Sequence, residues 1–268
     1  MGAVTAESTR ARDRLLARHL VIDGTDHALE IRPEDADAVY LPLARRIAML
    51  VENVAGQRLM IGIAGPPGAG KTVTAAILAA ALEEIGARPA IIPLDGFHYP
   101  NAYLRAHDGP DHAGTLRPLA SLKGWHVTFD APRALDMLRR VRAGEDVRLP
   151  VYSRALHDPV EGALALGREH RIALVEGNYL FLDVDPWSEI RALFDVRIFV
   201  TAQADVLVAQ IAERHLRGGK TREAALRWIE RVDRPNMDAV LPTERFAHAV
   251  ISGCRGSLVM RDPCQTGS

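Results

Sequence analysis

The chain has 268 residues, 48% of them apolar, and a formal net charge of −1. That length supports one sizeable core, or a core with an appendage. The charge balance excludes a global basic field of the kind that draws nucleic acid, and no segment is apolar enough for a signal peptide or a bilayer span, so the expectation is a cytoplasmic protein with neither nucleic-acid nor membrane partners.

In chain order, "ARDRLLARHL" reads as a short helix. "RPEDADAVYLPLARRIAMLVENVAG" reads as a longer one, with Pro33 and acids in its first turn. "RLMIGIAG" suits a buried parallel strand, "KTVTAAILAAALEEIGA" a strong helix, and "RPAIIPL" a second strand buried on both faces. Residues 102 to 125 read as loop. Then come a helix at "APRALDMLRRVRAG", a third buried strand at "RIALVEG", a short helix at "PWSEIRALF" and a fourth strand at "DVRIFVTA". Helices at "DVLVAQIAERHLR" and "REAALRWIERV" flank Gly218-Gly219, and "AHAVISG" is a last strand. Cys254 and Cys264 give no metal-ligand spacing and no disulfide framework. Short apolar strands alternating with helices predict an α/β fold with a mostly parallel sheet. The expected organisation is an N-terminal helical extension (1–55), a main domain (56–256) and a tail (257–268). The extension either packs on the sheet edge or mediates a homodimer.

The run Gly65-Pro66-Pro67-Gly68-Ala69-Gly70-Lys71-Thr72 fits G-x-x-x-x-G-K-[ST], with a strand before it and a helix after it. Glycines let successive backbone N–H groups converge on phosphate oxygens, and the helix start adds its positive dipole end. Lys71 then reaches the outer phosphates, Thr72 offers its hydroxyl to Mg²⁺, and Val73 completes the nucleotide loop. This P-loop NTPase signature names a nucleoside triphosphate but not a reaction.

Asp95 lies 24 positions after Lys71, at the end of the next strand. Ligands sit off the carboxyl ends of parallel strands, so both residues are expected to face one crevice. Asp95 is there either as a base for an acceptor hydroxyl or as the cap of an Asp-Gly turn. Glu176 ends another buried run in the same way, and is either a site carboxylate or a surface glutamate. His98 and Tyr99 follow Asp95 in a turn toward the crevice. His112, His126 and Asp111 share a loop whose spacing is loose for a metal.

The P-loop, "LDGFHYPNAYL", "LPVYS", "VEGNYLFL" and "RPNMDAVLPTERFAHAVI" together resemble the superfamily of bacterial pantothenate kinase, uridine kinase and phosphoribulokinase, over roughly residues 58 to 252. The likeness is greatest to the pantothenate-kinase-like branch. It implies ATP, Mg²⁺ and transfer of the γ-phosphoryl group to a substrate alcohol, with Asp95 as base and Glu176 beside the metal. It places His98, Tyr99, Asn101, Tyr152, His157 and Asn236 on the substrate side. "AERHLRGGKTREA" looks like the family's lid, with Arg214 a better match to its arginine than Arg217.

The chain departs from that pattern on the acceptor side. Ile211 stands where pantothenate kinases carry a tyrosine, His126 replaces a usual proline after Lys123-Gly124-Trp125, and the loop around "AHDGPDHAGTLRP" is longer. A sugar, polyol or nucleoside-like acceptor is therefore expected. Pantothenate or uridine kinase proper, and a non-catalytic nucleotide-binding regulator, are the alternatives.

Overall fold

The structure, a computed structural model, describes residues 6–22, 25–27, 31–54, 56–252 and 258–260. Both cysteines and most of the 257–268 tail lie outside these residues.

The N-terminal part holds helix α1 (Ala6–Leu16), a hairpin of β1 (Leu20–Ile22) and β2 (Thr25–His27), and a helical run. That run passes from α2 (Pro33–Asp35) through a π turn (Ala36–Tyr40) into α3 (Leu41–Val51). The extension is thus not wholly helical, and its described residues pack on α4 (Lys71–Glu84). The sequence of α4 gives the reason. It is apolar all round, with Ala75, Ala76, Leu78, Ala79, Ala80, Ala81 and Leu82 all buried, so one face lies on the sheet and the other needs a cover. Ala11, Leu15 and Ile47 supply that cover within the same cluster, and Arg14 and Arg18 pair with Glu84 at the C-terminal end of α4.

The sheet contains β3 (Leu59–Ala64), β4 (Pro89–Pro93), β9 (Ile172–Gly177), β10 (Val196–Thr201), β11 (Ala249–Ser252) and β12 (Leu258–Met260). Their order is β12-β11-β10-β3-β9-β4, parallel except for the β11–β12 pair. β3 and β9 are buried along their whole length, as continuous apolar runs in a covered parallel sheet should be. β4 corrects the expectation of a strand buried on both faces: it is the sheet edge, and only Ala90 and Ile92 are buried in it.

Two further pieces depart from the sequence reading. Residues 102 to 125 are not one loop. They contain most of α5 (Asn101–Ala106), a hairpin of β5 (Asp108–Pro110) and β6 (Leu116–Pro118), and a 3₁₀ turn (Leu119–Leu122). Strands of three mostly exposed residues carry no periodicity to read. After a 3₁₀ turn at His126–Thr128 and helix α6 (Ala131–Arg142), β7 (Val147–Ser153) and β8 (Asp158–Leu166) form a second, longer hairpin outside the main sheet. The remaining helices are α7 (Trp187–Ala192), α8 (Ala204–Arg217), α9 (Arg222–Trp228) and α10 (Arg234–Val240), with a π turn (Ile229–Asp233) joining the last two.

Candidate active site

The P-loop leaves β3 and enters α4 at Lys71. Its glycines are required by shape. A Cβ on Gly65 would stand 2.1 Å from the Val200 carbonyl oxygen, and Gly70 holds φ +86° at the helix entry. Lys71 is buried and donates from Nζ to the Pro66 carbonyl at 3.0 Å. Burial pushes its ammonium down to about 8; Glu176 and Asp95 pull it upward, while the charge of Arg214 adds to the lowering.

Sheet register brings the carboxylates to the same end. Ile63 pairs with Glu176 and Ala64 with Gly177, and Pro93, at the end of β4, also pairs with Glu176. Glu176 is buried, and its Oε1 accepts from Thr72 Oγ1 at 3.2 Å, which rules out the surface-glutamate reading. Asp95 lies two residues past Pro93 in a 3₁₀ turn (Leu94–Phe97). Its charge acts on Lys71, His98, Tyr152 and Tyr179. The glycine of the Asp-Gly pair has its own cause: a Cβ on Gly96 would meet the Pro150 carbonyl of β7 at 2.1 Å.

The structure divides the expected acceptor-side residues into groups. His98 packs on Phe129, with ring centroids 3.8 Å apart, and lies 5.4 Å from Tyr152. Burial lowers its pKa against the opposing pull of Asp95. Tyr99 joins a different stack, on Tyr103 at 4.3 Å. Asn101 donates to the His157 carbonyl at 2.8 Å and accepts from Lys123 Nζ at 2.6 Å. Lys123 also reaches the His157 carbonyl and lies 5.2 Å over the Tyr152 ring. His157 contributes its backbone to this knot, at φ +52° in the turn between β7 and β8. Asn236 is buried; its Nδ2 donates to the Gly124 carbonyl at 3.2 Å, and its Oδ1 has no partner among the described residues. Tyr179 donates to the same carbonyl.

At the end of α8 the two arginines separate. Arg214 acts on Lys71 and lies 3.7 Å from Asp233. Arg217 pairs with Glu213 at 3.5 Å on an exposed face. Asp233 is buried; His215 Nε2 lies 2.7 Å from its Oδ2, and Lys220 Nζ lies 3.0 Å from His215 Nδ1. An ammonium is a donor only, so Nδ1 accepts and Nε2–H donates to Asp233. Ile211 is fully buried beneath the P-loop, with Cγ1 2.8 Å from where a Cβ on Gly68 would stand.

Sequence reasoning assigned no role to Lys123, Tyr179, His215, Lys220 or Asp233. The only available signals were that Lys123 opens a family element and that Tyr179 follows the Glu176 strand end. His112 lies against Trp125 with ring centroids 3.8 Å apart and planes tilted by 54°, and among the described residues no group of three His, Cys, Asp or Glu is placed to hold a metal.

Comparison with known proteins identifies a family. The model of the phosphoribulokinase/uridine kinase family matches residues 60–259. The Escherichia coli (strain K12) "Uncharacterized protein YggC" is 33% identical over 234 residues, covering 87% of this chain and 93% of its own. The Schizosaccharomyces pombe "Putative uridine kinase C227.14" is 37% identical over 216 residues, covering 78% and 87%. The pantothenate kinase of Corynebacterium aurimucosum is 31% identical over 209 residues, covering 70% of this chain and 63% of its own. A crystal structure described as a "putative fructose transport system kinase" from Silicibacter sp. TM1040 superposes with a TM-score of 0.69 at 29% identity, over 76% of this chain and 94% of that one. A family match that runs through the P-loop, both strand-end carboxylates and the arginines of α8 leads to one assignment: the chain belongs to the phosphoribulokinase/uridine kinase family and is an ATP-dependent kinase.

Proposed function

We propose that the protein transfers the γ-phosphoryl group of ATP to a hydroxyl of a sugar, polyol or nucleoside-like metabolite in the cytoplasm. Asp95 carries this reading. It stands past a strand end, with its charge felt both at the phosphate-side Lys71 and at the ring cluster of His98, Tyr152 and Tyr179.

In the reaction, the Asp95 carboxylate takes the acceptor proton as the hydroxyl oxygen bonds to the γ-phosphorus. The bond from that phosphorus to the β,γ-bridging oxygen breaks, and ADP leaves. Lys71 and Arg214 face the charge that spreads over the phosphoryl oxygens. Thr72 Oγ1 and the Glu176 carboxylate, 3.2 Å apart, are hard oxygen donors of the kind that suits Mg²⁺, which when bound would neutralise phosphate charge. Asn101, Lys123 and the backbone of His157 form a preorganised wall on the acceptor side, and a donor from the acceptor would satisfy Asn236 Oδ1.

An ADP-release screen across sugars, polyols, nucleosides and pantothenate tests the reading. Acceptor-dependent release with one of the first three classes is expected. Preference for pantothenate or uridine would assign those activities instead. ATP binding with no acceptor-dependent release across the screen would favour the regulator.

A further inference from the structure

A cavity of about 410 Å³ lies beside the ring cluster. One wall is the β5–β6 hairpin, which contributes Asp111, His112 and Arg117. Trp125 lines it, and the opposite wall is Arg231 and Val232, from the π turn that ends at Asp233. The cavity borders the proposed acceptor site. The Trp125 ring meets Tyr179 edge-on at 6.0 Å, and Tyr179 feels the charges of both Asp95 and Asp233.

Its two guanidinium groups are loosely held. Three other arginines along these helices are paired four residues away: Arg217 with Glu213, Arg227 with Glu223 and Arg234 with Glu230. Arg231 has Arg227 four residues before it and Pro235 four after it, so helical spacing offers it no carboxylate. Among the described residues it pairs with no acid; its guanidinium lies 5.3 Å over the Trp228 ring. Arg117 is 58% exposed and reaches Asp111 only through Nε, at 3.4 Å. Asp111 is already engaged, since its Oδ1 accepts from the backbone of Ala113 and Thr115 at 2.9 Å each. Asp238 lies outside the lining and acts on His112. The aromatic face of Trp125 and His112 completes a site for a carbon skeleton that bears an anion.

We propose that this cavity holds the far end of the acceptor, and that Arg117 and Arg231 select acceptors carrying a carboxylate or phosphate away from the reacting hydroxyl. The inference rests on the kinase reading and narrows its substrate class to sugar acids and sugar phosphates. A bound anion would also join the hairpin to the segment that holds Asp233 beside Arg214.

The test is calorimetric titration of the full chain, loaded with a non-hydrolysable ATP analogue, against matched pairs. Gluconate is set against glucose, glycerate against glycerol, and ribose 5-phosphate against ribose; the pairs separate carboxylate from phosphate. At least one anionic member is expected to bind about ten- to a hundredfold more tightly than its neutral partner. Arg117→Ala or Arg231→Ala should erase most of that difference, and Arg231→Lys should keep part of it. Both side chains lie at the surface, so the fold should tolerate the changes. Equal affinities within every pair, or a preference that survives both alanine variants, overturns the proposal. The kinase reading fails separately: an anion held through both arginines that releases no ADP with ATP present leaves the cavity assigned and removes that reaction. Efficient phosphorylation of neutral members alone does the reverse.

Discussion

Thr72 Oγ1 donates to Glu176 Oε1 at 3.2 Å, joining the second residue of α4 to the end of β9. The contact follows from register, because Glu176 is level with Ile63 just before the P-loop begins. Glu176 therefore serves two neighbours: it aligns the Thr72 hydroxyl and supports the charge on Lys71. Glu176→Gln keeps an acceptor for Thr72 but removes the charge. We expect kcat to fall about a hundredfold, in the range of a lost charge-stabilising group, and more Mg²⁺ to be needed for half-maximal rate. A Mg²⁺ titration of initial rates checks this, and an unchanged Mg²⁺ requirement would remove Glu176 from the metal site.

The buried ammonium of Lys71 makes nucleotide capture depend on pH. Its value in the free protein is about 8, against an ordinary 10.5. The charged form that grips phosphate is therefore lost as pH rises through 8, and kcat/KM for ATP should decline across pH 8 to 9. The triphosphate holds the proton on once bound, so kcat at saturating ATP should decline less. Stability moves the other way. Between about 8 and 10.5 the unfolded lysine keeps its proton and the folded one does not, so the ligand-free protein gains stability over that window. Comparing wild type with Lys71→Met, by initial rates and by denaturant melts at each pH, isolates both effects.

How much of this site could be read beforehand depended on sequence separation. The P-loop is contiguous, and the crevice positions of Asp95 and Glu176 follow from two apolar runs of sequence that each stop on a carboxylate. The Asn101–Lys123–His157 knot joins residues 22 and 56 positions apart, and Asp233 meets His215 across 18. No local pattern announces such pairs. Ile211 shows the opposite failure: its departure from the family tyrosine was visible, but only packing reveals that it faces Gly68. The edge position of β4 was hidden for a similar reason, since a short apolar run does not say how many neighbours it has.

Asp95→Asn is close to isosteric and leaves Gly96 against β7, so the fold should hold. It removes the proton acceptor, and kcat should fall by about 10²- to 10⁴-fold, the usual contribution of a positioned base. Calorimetry should give an ATP affinity within a fewfold of wild type. Full turnover in this variant would return Asp95 to the role of a turn residue and leave the base unassigned.

The last prediction concerns how Arg214 is held. Asp233 has a side chain only 7% exposed, takes the Nε2–H of His215 on one oxygen, and faces Arg214 with the other. Lys220 fixes the His215 tautomer from behind. Asn at position 233 can still accept from His215 but offers Arg214 no charge. Asp233→Asn should therefore lower kcat/KM about tenfold, the size of one weakened charged contact. The same substitution in an Arg214→Ala background should cost far less, because the group it positions is already gone. This non-additivity, read from a double-mutant cycle on kcat/KM, separates positioning from folding. If the two costs simply add, Asp233 acts through the packing of the π turn and Arg214 is held by something else.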